Sequence, residues 1–254
     1  MSPAKPYLAH HVTEMITEIS PEDGMFEGSQ EHYFSVGQSA LECIKLAALA
    51  GGQPRFTNIL DFGSGFGRVL RALKSGFPAA QLTACDINAN AISFCSRIFG
   101  ATAIQSSEDI SDLCIDDRFD LIWCGTVLTN VDAMQFLDIL RFLKTLLKKN
   151  GILVFTTHGP YVAQRIRSGA FTYGLQQDLI PALLEDYDRA GFGYADYPAE
   201  IRARVGLNRY GISVSAPHWT LRQLKSFSEL RILNYTEQFW DNHQDSVACV
   251  NSGV

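Results

Sequence analysis

From Tyr33 onward, apolar residues recur at helical spacing through "YFSVGQSALECIKLAALAGG" and stop at Gly51-Gly52, with Pro54 just behind. Beyond that point, short apolar runs alternate with amphipathic stretches. "FTNILDF", "AQLTACDI", "ATAIQ", "RFDLIWCGTVL" and "GILVFTTH" read as strands. Between them, "GRVLRALKSG", "NANAISFCSRIFG" and "DAMQFLDILRFLKTLLKKNG" read as helices. The second starts at Asn88 or Asn90 and ends at Gly100; the third runs from acid to lysines, with Gly151 as its cap. Strands and helices in alternation predict an α/β fold, a mostly parallel sheet with helices on both faces.

The rhythm breaks after His158. From Gly159 to Pro217 the pattern is irregular, with one helix-like run, "DLIPALLEDYDRAG". It resumes with a short helix, "HWTLRQLKSF", and two strands, "LRILNYTEQF" and "QDSVACV", which bring the expected count to seven. There is no internal repeat, low-complexity tract or linker. Residues 1–254 therefore read as a single domain carrying an insertion at residues 159–217.

Composition narrows the classes. At 254 residues, with 46% apolar and 19% charged residues, the chain has the make-up of a globular protein with a sizeable core. Its formal charge of −6 argues against broad nucleic-acid binding. The six cysteines are scattered without a C-x-x-C pair, and most sit in apolar runs, as reduced buried thiols of a cytoplasmic protein do. No metal site is expected. The opening "MSPAKPYLAHHVTEMITEIS" lacks the apolar core of a signal peptide, and no membrane span is expected.

Candidate chemistry begins at "LDFGSGFGR", where Gly63, Gly65 and Gly67 follow Asp61 at alternate positions. A glycine-rich turn between strand and helix lets a ligand touch bare backbone beside free N–H groups. The dinucleotide fingerprint is spaced G-x-G-x-x-G, and Arg68 stands where it requires its last glycine. That departure makes a nicotinamide-dependent oxidoreductase the weaker reading.

The segment instead resembles the first motif of class I S-adenosylmethionine-dependent methyltransferases. "CDIN", "RFDLIWCGTVLTNV", "LKKNGILVFTTH" and "FWDNHQDSVACV" are similar to later motifs of that family, in the same order. The resemblance implies a Rossmann-like sheet and S-adenosylmethionine as cofactor. It places cofactor contacts at Asp61, Gly63, Ser64, Gly65 and Arg68, and at Asp86 and Ile87, where Asp86 would grip the ribose hydroxyls. Ser107 and Glu108 fall where the family contacts adenine, and Cys124, Gly125 and Thr126 follow the fourth strand. Tyr33 and Gly37 fall where related enzymes cover the methionine end.

The reaction this implies is methyl transfer to a small-molecule or saccharide-type acceptor, at oxygen. Asn130 stands where many relatives have histidine, so His158, at the end of the fifth strand, and His218, after the insertion, are the candidate bases. The insertion is rich in tyrosine and arginine, suited to rings and to phosphate or carboxylate. "DYDRAGFGYADYP" and "YGISVSAPHWTLRQL" are similar to stretches of bacterial glycan-associated methyltransferases. The segment is expected to be a substrate lid with Tyr194, Tyr210 or Trp219 facing the cleft. The alternative is a non-catalytic cofactor-binding subunit whose lid docks a partner protein.

Overall fold

A computed structural model describes residues 14–53 and 55–253. Residues 1–13, Pro54 and Val254 lie outside the described residues, and with them most of the opening segment read above for a signal peptide.

Helix α1 (Gln30–Gly51) is started by Ser29, whose hydroxyl accepts the His32 N–H, and stopped by Gly52 in the left-handed region. Strands β1 (Asn58–Phe62), β2 (Gln81–Asp86), β3 (Thr102–Gln105), β4 (Phe119–Cys124) and β5 (Leu147–Thr157) are parallel. Helices α2 (Leu70–Gly76), α3 (Ala89–Phe99) and α4 (Ala133–Leu146) connect them. Asn88 caps α3 through its side chain and Gly100 closes it at φ 67°. Later come β8 (Leu230–Trp240) and β9 (Gln244–Asn251), with β9 running antiparallel between β5 and β8. The resulting sheet has seven strands in the order β3-β2-β1-β4-β5-β9-β8.

Period-two alternation builds both cores. Ile59, Leu121, Trp123, Ile152 and Val154 point to the face covered by α1, α2 and α3. Leu60, Ile122, Cys124, Leu153 and Phe155 point to the face covered by α4 and by α8 (Pro217–Leu224). Five cysteines are buried within this packing, while Cys114 is exposed.

Two boundaries differ from the sequence expectation. Helix α4 ends at Leu146, and Leu147–Gly151 already belong to β5, so Gly151 is not a helix cap. The β4–β5 register slips between Phe119 and Leu121, and Asn150 takes a left-handed φ of 64°. Helix α2 starts only at Leu70, because the turn carrying the glycines extends to Val69.

The insertion is more regular than its pattern suggests. It holds α5 (Pro160–Arg167), α6 (Ile180–Ala190), β6 (Phe192–Asp196), α7 (Ala199–Val205) and β7 (Gly211–Ser215). Strands β6 and β7 pair antiparallel in a separate two-stranded sheet, and five-residue runs split by a helix give little periodicity to read. The other edge of β7 runs beside the main sheet: Gly211, Ser213 and Ser215 donate N–H bonds to the carbonyls of Asn130, Thr129 and His158. The segment therefore stands on the carboxyl ends of β4 and β5.

Candidate active site

A cleft of about 1260 Å³ opens along those carboxyl ends. It exceeds the roughly 300–1,000 Å³ of most single-ligand pockets, which leaves room for a cofactor and a second molecule. Its floor is the turn after β1. Gly63, Gly65 and Gly67 all have positive φ, a region that side chains disfavour. A Cβ at Gly63 would collide with Val127, whereas one at Gly65 meets nothing within 4 Å. The backbone at Gly65 therefore faces open space in the cleft.

Two carboxylates flank this turn. Asp86 accepts the Gly65 N–H at 2.7 Å and the Asn88 N–H at 2.9 Å, so its orientation is fixed by main chain. Burial raises its pKa and these N–H bonds oppose the rise. Asp61 is 1% exposed and has no hydrogen-bond partner among the described residues. Burial first, and the charge of Asp86 second, push its carboxyl up to about 8. A buried carboxyl without a partner costs about 1–3 kcal/mol or more. It is suited to a ligand that brings a positive charge.

The cofactor contacts expected from the sequence divide by position. Asp61, Gly63, Ser64, Gly65, Arg68, Asp86, Ile87, Ser107, Glu108, Gly125 and Thr126 all line the cleft. Cys124 does not: it is fully buried in the core, and Gly125 is the first residue of its strand to reach the opening. Gly37 is also set back, because a Cβ there would lie 2.5 Å from the Arg68 carbonyl oxygen; it serves the contact between α1 and the glycine turn. Tyr33 is buried beneath the cleft and donates its hydroxyl to Asp23, which does line it.

Neither histidine lines the cleft. His158 is 6% exposed under β7, with Nδ1 3.2 Å from the Ser213 carbonyl. Burial, then the neighbouring His243, push its pKa down to about 3. His218 is exposed on α8, its Nε2 beside the Gly191 turn at the base of the insertion. Trp219 is a further correction: it packs into the sheet core against Phe136 and Phe192, at ring separations of 5.1 and 4.4 Å. Tyr194 turns toward the same core and donates to Asp196, while Tyr210 lines the cleft.

Sequence reasoning missed the far wall. The stretch 203–210 forms one wall of the cleft, where Glu108 accepts the N–H groups of Asn208 and Arg209 at 3.0 and 2.7 Å. Arg209 also pairs with Asp132, the cap of α4. It missed Asp23, Met25, Trp123 and Trp240 as well, since no local motif marks them. Among the described residues there is no cluster of potential metal ligands, and no helix is long and apolar enough to cross a membrane.

Comparison with known proteins agrees with this geometry. A methyltransferase-domain family matches residues 60–153, which span β1 to β5 with the glycine turn and both carboxylates. No curated protein matches the chain. Among solved structures it is similar to an S-adenosylmethionine-dependent methyltransferase from Clostridium acetobutylicum, at 14% identity and TM-score 0.58, over 84% of this chain and 91% of that one. It is also similar to the plantazolicin methyltransferase, at 14% identity and TM-score 0.56, over 89% and 87%. A third is the 1,6-didemethyltoxoflavin-N1-methyltransferase of Burkholderia thailandensis, at 11% identity and TM-score 0.55, over 86% and 80%. At these identities the likeness is one of fold.

Residues 60–153 carry a methyltransferase domain, and the sheet order and the glycine turn with its two carboxylates are consistent with the class I S-adenosylmethionine-dependent kind. That domain makes the chain an enzyme with S-adenosylmethionine as its cofactor, and residues 203–210, which follow β5, line part of the same cleft as the glycine turn.

Proposed function

We propose that the enzyme methylates a small molecule, a saccharide among the classes it admits, and that residues 159–217 are the lid that selects it. One observation carries this reading: stretch 203–210 already spans the cleft, held to Glu108 and Asp132. A bulky protein or nucleic-acid acceptor would have to displace it. When bound, S-adenosylmethionine supplies an activated methyl group on a sulfonium. The chain's own residues then orient and exclude water.

Gly65 offers bare backbone, Asp86 offers carboxylate oxygens to a diol, and Asp61 offers an unpaired acceptor to an ammonium group. Ile87, Ser107, Gly125 and Thr126 wall the space between. The methylated atom is proposed to be an oxygen. With His158 and His218 outside the cleft, that oxygen must be acidic enough to ionise without a histidine base.

Incubation with a small-molecule extract and cofactor carrying an isotopically labelled methyl group tests the reading. Label is expected in the low-molecular-weight fraction, on an acidic hydroxyl or carboxyl. Label confined to macromolecules would overturn it, and label on nitrogen would overturn the choice of atom.

A further inference from the structure

Beyond Thr126 the carboxyl edge of the sheet continues over β5 and β9, and a second polar cluster stands there. Gln244 ties it to the cleft wall, with its side chain 3.4 Å from Thr126 Oγ1 and 2.6 Å from Thr156 Oγ1. Next to Gln244, the His243 ring lies 5.5 Å from Tyr173, 5.8 Å from His158 and 6.0 Å from Tyr161. Arg165 sits over the rings of Tyr161 and Phe171, and Phe171 packs edge-on against Tyr173 at 4.6 Å.

The bonding in this box is incomplete. Arg165 donates one bond, 3.0 Å to the Tyr161 hydroxyl, while its buried Nε has no partner. The buried Tyr173 hydroxyl has none either. The guanidinium and that hydroxyl act on one another electrostatically and as weak hydrogen-bonding neighbours, in a contact that falls short of normal hydrogen-bond geometry.

Elsewhere in the lid, Arg167, Arg189 and Arg209 pair with Asp188, Asp186 and Asp132, and Arg202 holds backbone carbonyls. Arg204 is exposed on α7. Arg165 and Arg202 are the half-buried members without a carboxylate within ion-pair reach among the described residues, and Arg202 is taken up by the Tyr197 and Asn208 carbonyls. Tyr173, moreover, is a bulky residue held at φ 55°, the kind of backbone outlier that concentrates at ligand sites.

We propose that Arg165, Tyr161 and Tyr173 form an oxyanion site that holds a carboxylate or phosphate group of the methyl acceptor, with the aromatic rings flanking the adjoining part of that molecule. A guanidinium fork and two hydroxyls converge as donors on one place, and carboxylate and phosphate oxygens are pure acceptors of matching geometry. The place itself is one strand further along the sheet edge than the cofactor wall. The inference rests on the methyltransferase reading above, and it deepens that reading by naming the acceptor's charge.

The test is a titration of the whole protein, with and without S-adenosylhomocysteine, by benzoate in one arm and phenyl phosphate in the other. The nitrogen-15 signal of Arg165 Nε, assigned by its loss in Arg165→Lys, is followed together with affinity. Saturable movement of that signal by at least one probe is expected. At least a tenfold loss of affinity is expected in both Arg165→Met and Tyr173→Phe, with S-adenosylhomocysteine binding kept within twofold. The stronger probe tells carboxylate from phosphate. An unmoved signal at millimolar probe, or equal affinity in Arg165→Met, overturns the site. Failure of wild-type protein to bind S-adenosylhomocysteine would instead strike the methyltransferase reading, and the probe titration would still decide the oxyanion site.

Discussion

Glu108 accepts the main-chain N–H groups of Asn208 and Arg209, one hundred and more residues further along the chain, and so joins the loop after β3 to the stretch before β7. Its carboxylate also takes the Asn208 side-chain amide at 2.9 Å. One carboxylate therefore satisfies three donors of a stretch that is also held by the Arg209–Asp132 pair, by the Tyr197 N–H on the Tyr210 carbonyl and by Arg202 on the Asn208 carbonyl. Glu108→Ala should leave the glycine turn and the Asp86 carboxylate in place while freeing stretch 203–210. The expected result is a several-fold faster release of S-adenosylhomocysteine, with faster hydrogen exchange confined to residues 199–210. Partial burial opposes charge on Glu108, and the bonds from Asn208 and Arg209 outweigh it and hold its pKa below the usual range. For a depressed carboxyl the latch is present above the unfolded value of about 4.3 and lost as pH falls through the folded one. An Ala variant with unchanged exchange and release would show that the lid is held without Glu108.

Asp61 gives the pH dependence with the opposite sign. Its folded pKa of about 8 lies above the unfolded value of about 3.9, so the folded chain binds the extra proton between those limits. Stability contributed by this site therefore falls as pH rises across that window. Asp61→Asn should melt at a higher temperature than wild type at pH 8, on the order of a few kcal/mol, with the gap narrowing toward pH 5. Cofactor binding should work the other way. An ammonium group beside Asp61 favours the carboxylate, so binding below pH 8 expels a proton, and affinity should rise with pH toward 8. Calorimetry in two buffers of different ionisation enthalpy reads that proton directly. No buffer dependence in wild type, or the same dependence in Asp61→Asn, would refute the pairing.

The glycine turn separates folding from binding within three residues. A Cβ at Gly65 enters open cleft, and its φ of 49° costs a side chain about 1–2 kcal/mol. Gly65→Ala should fold with a modestly lowered melting temperature, and a bulkier Gly65→Val should lose most cofactor affinity. Gly63→Ala meets Val127 as well as an unfavourable φ of 81°, so its loss should appear first in the melting temperature. Thermal melts with and without S-adenosylhomocysteine distinguish the two. Normal cofactor affinity in Gly65→Val would remove the argument that the ligand approaches bare backbone there.

What the chain reveals locally and what it hides follows from these cases. The position of Asp61, Gly65 and Asp86 on one cleft was legible because a strand end, a turn and the next strand end are near one another in sequence. The partner of Glu108 was not, since nothing near Ser107 points to Asn208. His158 was placed at the right strand end but assigned the wrong surroundings: the β6–β7 pair covers it, and five-residue strands interrupted by α7 leave no periodic signal. Trp219 shows the limit of composition. Being aromatic after the insertion says nothing about which side of α8 it occupies, and it faces the sheet. The Arg165 box draws on β5, α5, the loop after it and the β8–β9 turn, so no single stretch contained it.

Arg71 carries the last prediction, because it couples the cofactor turn to the segment that precedes α1. Its side chain is 1% exposed yet charged, and it is satisfied almost wholly by backbone. Nε donates to the Gly67 carbonyl at 3.2 Å, and one terminal nitrogen donates to the carbonyls of Ile16 and Glu18 at 2.9 and 3.0 Å. The other reaches the Tyr33 hydroxyl at 3.5 Å, and that hydroxyl in turn donates to Asp23 on the cleft wall. Lysine cannot reproduce this fork, and methionine fills the space but takes the donor from the Ile16 and Glu18 carbonyls, while Gly67 keeps the main-chain N–H of residue 71. Losing such hydrogen bonds from a buried charged group costs about 1.5–3 kcal/mol each. Arg71→Met should therefore lower the melting temperature strongly, and in the folded fraction it should release residues 14–28 to limited proteolysis. Arg71→Lys should show the same release with a smaller loss of stability. Protection of that segment in both variants, with wild-type cofactor affinity, would mean that the strap is held by its own turns and that Arg71 serves the core alone.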